Sequence, residues 1–211
     1  MATMSMNKVI HGAFRRDLQR FVDALRSFRE GDTARAAQLG KGWDNFDAQL
    51  TDHHEGEHAI AWPAMTSIGV PSALLATFDE EHERMAQALA SAGAAMATFR
   101  ASATAADAKA ALAAMETLQS VAVAHLDHEE QETESVLTQH TGDPAVKEMG
   151  KKFSKRAGLP TAGIFFAWVQ DGATQEERSA LTDSVPGPVL AVIGGLFGRR
   201  YRKEIAPVWS S

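Results

Sequence analysis

The stretch Leu39-GKGWDNFDAQLTDHHEG-Glu57 decides how this chain is read. Its apolar residues Leu39, Trp43, Phe46 and Leu50 recur at intervals of four, three and four, the period that sets side chains on one face of an α-helix. Continued by three and four, the same series reaches His53 and Glu57. A face that is apolar for three turns therefore passes, in phase, into an imidazole and a carboxylate. At a spacing of four both side chains stand on one face about 6 Å apart along the axis, so their heads can converge on one point.

The same periodicity appears on either side of that stretch. Ile10, Phe14, Leu18, Phe21 and Leu25 mark a first helix. The second helix continues past an interruption to Ile60, and Trp62-Pro63 is expected to end it. Pro71 suits the first turn of a third helix through Leu74, Phe78, Met85, Leu89 and Met96. A fourth occupies about 105 to 139, through Leu112, Met115, Leu118, Ala122 and Val136. No segment alternates with period two, so no strand is predicted. Short connections between long amphipathic helices favour antiparallel neighbours, hence an all-α fold built on an up-down-up-down four-helix bundle.

Composition bounds the rest. The chain has 211 residues, enough for a substantial core, and a net charge of −6, which argues against nucleic acid or an anionic membrane as partner. The absence of Cys excludes disulfides, thiolate zinc sites, iron–sulfur clusters and cysteine nucleophiles, and it fits a reducing cytoplasm. The amino-terminal MATMSMNKVIHGAF turns charged before a signal-peptide core could form, and no apolar run reaches a membrane span. The expectation is a cytoplasmic protein without membrane insertion. All eight His lie in residues 1 to 140, which carry 11 basic and 20 acidic side chains, while residues 141 to 211 carry 10 and 7. Five of the seven Pro also fall in that tail, so TGDP at 141 to 144 marks the expected boundary between a bundle, 1 to 140, and an extension, 141 to 211. The extension reads as short helices near 144 to 157, 161 to 171, 175 to 184 and 187 to 204, packed on the bundle through Phe165, Phe166, Trp168, Leu190, Val192, Leu196 and Phe197. Its basic run Arg199, Arg200, Arg202 and Lys203 around Tyr201 is expected to be solvated or to hold the tail to the acidic bundle.

In the fourth helix the series 115, 118, 122 continues as His125 and Glu129, a second His-x-x-x-Glu pair in phase with the core. The first helix offers His11 three residues before Phe14, and the third offers His82 four residues after Phe78. Taken singly, His11 or His82 reads as a hydrogen-bonded core histidine. Together, four imidazoles and two carboxylates facing one core would be costly to desolvate unless a cation compensated them. Imidazole and carboxylate without thiolate suit iron, manganese or zinc, and iron is favoured in helix-bundle carboxylate sites.

The succession His11, then H53-H-E-G-E57 with A-W-P after it, then E-E-H82, then H125-L-D-H-E129-E resembles the hemerythrin-like HHE cation-binding family over about residues 8 to 138, in particular its longer bacterial members with a C-terminal helical extension. The resemblance implies two iron ions with an oxo or hydroxo bridge in the four-helix bundle. Glu57 and Glu129 would be the bridging carboxylates, with His11 and His53 on one iron and His82 and His125 on the other. Oxygen carriers of that family have a second His one turn from the third-helix His, where this chain has Phe78 and Ala86. Each iron would then keep an exchangeable position, and Glu81 or Glu83 is a possible substitute ligand.

His54-E-G-E-His58 also reads as the zinc-protease signature H-E-x-x-H. It leaves His11, His82 and His125 unexplained, and the Leu39 to Leu50 stripe selects positions 53 and 57 instead. A ferritin-like site fails because the fourth helix lacks a second Glu-x-x-His. His54, His58 and His128 are therefore expected behind the ligands or in solvent, with recruitment of one as a ligand left open. His140 should complement a helix C-terminus, and Gly56 permits either a local bulge or a close helix approach. The functional expectation is an oxidoreductase acting on peroxide or nitric oxide, its partners being small diatomic or peroxide ligands. An oxygen or redox sensor or carrier, and iron binding without turnover, are the alternatives.

Overall fold

The computed structural model describes residues 4 to 210; residues 1 to 3 of the amino-terminal stretch lie outside the described residues. Every regular element among the described residues is helical. Four long segments form the bundle: α1 (Met6–Arg26), α2 (Thr33–Gly56), α4 (Ser72–Ser102) and α5 (Ala105–Gln139), with the short α3 (Trp62–Ser67) continuing α2. In the ring they make, α1 packs on α2, α2 on α4, α4 on α5 and α5 on α1, so chain neighbours are also space neighbours. Side-chain caps fix the starts: Ser5 accepts from Lys8 N–H, Asp32 from Arg35 N–H and Thr104 from Asp107 N–H. The two-residue turn from α4 to α5 places Ala103 in the left-handed region at φ 51°, stopping α4 abruptly.

The expected stripes form the core. Phe14, Leu18 and Phe21 of α1, Leu39, Phe46 and Leu50 of α2, Met85 and Met96 of α4, and Met115 and Leu118 of α5 are all buried. Each such side chain contributes about 1.5 to 3 kcal/mol of transfer free energy. Below this apolar section the same faces carry the histidines.

Two boundaries differ from expectation. Trp62-Pro63 does not end the second helix. Residues Glu57–Ala61 widen into a π-turn in which Trp62 N–H bonds to the Glu57 carbonyl, and Pro63 then opens α3. A proline at a helix start loses no hydrogen bond, so a break in register let the chain stay helical. Pro71 is the N-cap of α4, one position earlier than expected, with ψ 133°.

The extension comprises α6 (Pro144–Gln170), α7 (Gln175–Ser184), α8 (Gly187–Phe197), a π-turn at Tyr201–Ile205 and a 3-10 turn at Ala206–Trp209. Gly158, at φ 63° and ψ 163°, breaks α6 two residues before Pro160. The segment lies along α1 and α2. Trp168 is buried against Phe14, ring centroids 4.9 Å apart, and its Nε1–H donates to the buried Asp17 at 2.7 Å. Trp209 meets Phe21 at 4.9 Å. Charge crosses between extension and bundle in both directions, and not through the basic run around Tyr201: Arg156 of α6 pairs with Asp52 and Glu55 of α2 at 3.0 and 2.8 Å. Arg16 of the bundle donates to the main-chain carbonyl of Asp171 in the extension, Arg20 donates to the Asp171 carboxylate at 3.0 Å, and Tyr201 O–H donates to the same carboxylate at 2.8 Å. Arg202 instead caps the Gly194 and Gly195 carbonyls, and Arg200 pairs with Glu204. No single helix among the described residues is long and apolar enough to cross a membrane.

Candidate metal centre

All six residues selected by helical phase meet in one place. The Nε2 atoms of His11 and His53 stand 3.3 Å apart, and those of His82 and His125 stand 3.0 Å apart. Glu57 lies between the pairs, with Oε1 3.2 Å from His53 Nε2 and Oε2 3.4 Å from His82 Nε2. Glu129 completes the frame: its Oε2 is 3.4 Å from His11 Nε2 and 3.6 Å from His125 Nε2. Its other oxygen accepts from Asn7 Nδ2 at 2.9 Å. The donor atoms of His11, His53, Glu57 and Glu129 all fall within 4.8 Å of one another, as do those of His54, His82 and His125.

Local structure explains the convergence. Glu57 ends α2 and begins the π-turn, whose wider register keeps the carboxylate inward while the chain bends into α3. Gly56 serves both uses that its sequence left open. It adjoins the π-turn, and a β-carbon there would lie 2.6 Å from the ring of Phe153, which α6 brings against the helix. On α5, Thr133 bonds the Glu129 carbonyl at 2.7 Å one turn on.

A second layer holds two of the rings. His11 Nδ1 meets Glu130 Oε1 at 3.1 Å, and the same oxygen accepts from Arg15 at 2.6 Å. His125 Nδ1 meets Glu81 Oε2 at 2.8 Å, while Glu81 Oε1 meets His128 Nδ1 at 2.9 Å. A carboxylate at Nδ1 keeps the proton there and turns the Nε2 lone pair inward. Asn7 extends the series His11, Phe14, Leu18 backwards by four and so carries a periodic signal that sequence reasoning missed, whereas Glu130, five after His125, lies out of phase. Glu81, offered as a substitute ligand, supports His125 instead; Glu83 and Ala86 take no part in either donor group.

The electrostatics of the bare side chains suit a cation. Burial, then neighbouring imidazoles, push His53 and His54 well below the ordinary histidine range, and burial takes His82 to about 4. Burial also lowers His125. His11 is the exception: burial opposes its protonation, but Glu129 and Glu130 hold it above the usual value. Burial and the facing Glu129 push Glu57 well up, whereas Glu129, despite burial, is held down by His11 and His125. Both Glu57 oxygens, Glu129 Oε2 and His54 Nε2 are buried without a hydrogen-bond partner. Orphaned buried acceptors are rare and costly in folded proteins. Four imidazoles and two carboxylates without thiolate fit iron, manganese or zinc.

The remaining histidines divide. His58 is exposed and meets Asp79 at 3.3 Å; Asp79 also accepts from Trp62 Nε1 at 2.8 Å. His128 sits at the rim beside Glu81. His140 caps α5, its Nδ1 2.9 Å from the Val136 carbonyl. His54 stacks its ring on His82 at 4.1 Å and 22°, with one nitrogen within 4.8 Å of those of His82 and His125. The signal existed, since His54 follows Leu50 by four and Trp43 by eleven, about three helical turns. It lies on the shoulder of the apolar stripe, and a strict three-four series passes over it.

A family model described as the hemerythrin HHE cation binding domain matches residues 7–137. No curated protein and no solved structure matches the chain.

Proposed function

Because the chain belongs to the hemerythrin HHE cation-binding family, we propose that its bundle holds two iron ions and that this pair reacts with small oxygen or nitrogen species, hydrogen peroxide first among them. The observation that carries the reading is Glu57, whose two buried, unpartnered oxygens each face a different imidazole pair. His11 and His53 would hold one ion, His82 and His125 the other, with Glu57 and Glu129 shared. Such a pair supplies a two-electron couple, by which one peroxide is reduced to water and a second oxidised to dioxygen without an organic reductant.

The chain's own residues do the remaining work. Burial keeps His53, His82 and His125 neutral, the form that donates to a cation. Glu130 and Glu81 orient His11 and His125 from behind. Phe14 lies 5.3 Å from the His53 ring, and Trp62 lies 5.8 Å from the His82 ring. This apolar wall excludes bulk water and admits small neutral molecules in preference to charged ones. The Glu81–His128 pair, half-exposed at His128, offers a place to hold a proton at the rim.

Anaerobic loading with Fe(II), metal analysis and oxygen evolution from peroxide test the reading, with metal-free protein and free iron as controls. Two irons per chain and evolution above both controls are expected, and Glu57→Ala should retain at most one iron. One iron in the wild type, or zinc retained after growth in iron-rich medium, would refute the iron pair. Evolution no greater than from free iron would leave nitric oxide chemistry or oxygen sensing as the better reading.

A further inference from the structure

We infer that His54 is a third imidazole ligand on the His82–His125 side, so that the neighbouring residues His53 and His54 serve different ions. The inference rests on the metal-pair reading above and goes beyond it, since the six residues chosen by phase place two imidazoles on each ion. The His54 ring lies parallel to His82 at 4.1 Å and edge-on to His125 at 5.9 Å and 89°. One nitrogen from each of these rings falls within 4.8 Å of the others. His54 Nε2 is buried and receives or donates no hydrogen bond. A residue kept for stacking alone would not need that nitrogen, because a phenyl ring stacks as well and leaves no orphaned polar atom.

The backbone makes the arrangement possible. Consecutive residues on a helix diverge by about 100°, so His53 can face α1 while His54 faces α4 and α5. His82 is thereby enclosed between two rings, His54 on one side and Trp62, nearly parallel at 18°, on the other. No residue of α4 one turn from His82 can supply the extra imidazole, since Phe78 and Ala86 occupy those positions. Three imidazoles on one side and two on the other, with Glu57 and Glu129 shared, would leave the His11–His53 side one donor poorer than its neighbour, and a small ligand would enter there. That side is walled by Phe14 and, through it, by Trp168 of the extension.

The test uses the full chain loaded anaerobically with Fe(II). In paramagnetic proton NMR in water, each imidazole bound to iron gives one exchangeable, strongly shifted N–H signal. Wild type should show five, and His54→Phe, which keeps the stacked ring and removes the nitrogen, should show four. A chelator should withdraw one of the two irons at least about tenfold more readily from His54→Phe, as expected when a ligand is lost, while the other iron stays as tight as in wild type. His58→Ala, a change of an exposed histidine on the following π-turn, should match wild type in both measurements. Wild type with two irons and only four such signals overturns the role of His54 and leaves the metal pair standing, whether or not the variant folds. Unchanged chelation in folded His54→Phe overturns it as well. Wild type that binds no pair overturns the centre itself, and His54 with it.

Discussion

The two sides of the centre are built from the same sequence motif and end in different surroundings. Each side has one solitary His and one His-x-x-x-Glu, yet His11 is raised by two carboxylates while burial lowers His82 and His125. The partner of His11, Glu130, is shared with Arg15, whereas the partner of His125, Glu81, is shared with His128. The first side backs onto Phe14 and the extension; the second is lined by Trp62, Phe78 and His54. A symmetric ligand motif therefore fixes where donors meet but not their basicity, which comes from the neighbours of each ring.

The largest expected effect comes from removing the wall of the first side. Loss of the Trp168 indole alone should cost about 3 to 5 kcal/mol, and its hydrogen bond to Asp17 goes with it. A chain ending at residue 142 should accordingly melt at a lower temperature and bind more of a hydrophobic dye. Equal stability and solubility of the shortened chain would show that the extension, 141 to 211, does not form part of the bundle's wall.

Acid next separates His11 from the other buried rings of the centre. In metal-free protein His53, His54, His82 and His125 have folded-state pKa values below the ordinary 6.5. Between 6.5 and about 4, the lowered value of His82, the unfolded chain binds protons that these rings refuse, so stability falls as pH drops through that window. His11, raised, contributes the opposite sign: its stabilisation is present below 6.5 and is lost as pH rises through its folded value. The rise in melting temperature between about pH 4 and 6.5 should therefore shrink in His82→Gln, and the fall above 6.5 should shrink in His11→Gln. Identical profiles in the two variants would erase the contrast.

The smallest effect is expected from the outer carboxylates. Glu81→Gln should weaken one iron by about 10-fold, the lower end for such supporting groups. Glu130→Gln should do less, because Arg15 already neutralises that carboxylate. Chelator titration of the loaded proteins ranks them, and a greater loss in Glu130→Gln would reverse the comparison.

Periodicity alone was sufficient to place four helices and to name six residues that meet in one core: the series 39, 43, 46, 50 leads to His53 and Glu57, the series 115, 118, 122 leads to His125 and Glu129, and the stripes through Phe14 and Phe78 carry His11 and His82. This follows because a helix held by its apolar stripe cannot rotate without exposing that stripe, so any polar residue in phase must point inward. The limits of α5, 105 to 139, were equally legible, since Thr104 caps its start. Three features were not. The chain stays helical through Trp62-Pro63 only because a π-turn absorbs the missing hydrogen bond, a change of register that residue types do not announce. The bonds from Arg16 to the Asp171 carbonyl and from Arg20 to the Asp171 carboxylate join residues more than 150 positions apart, beyond the reach of any local pattern. His54 occupies the edge of its stripe, where phase cannot decide between inside and outside. Tertiary structure decided it, because His82, backed on one face by Trp62, presents its other face to an imidazole at that angle.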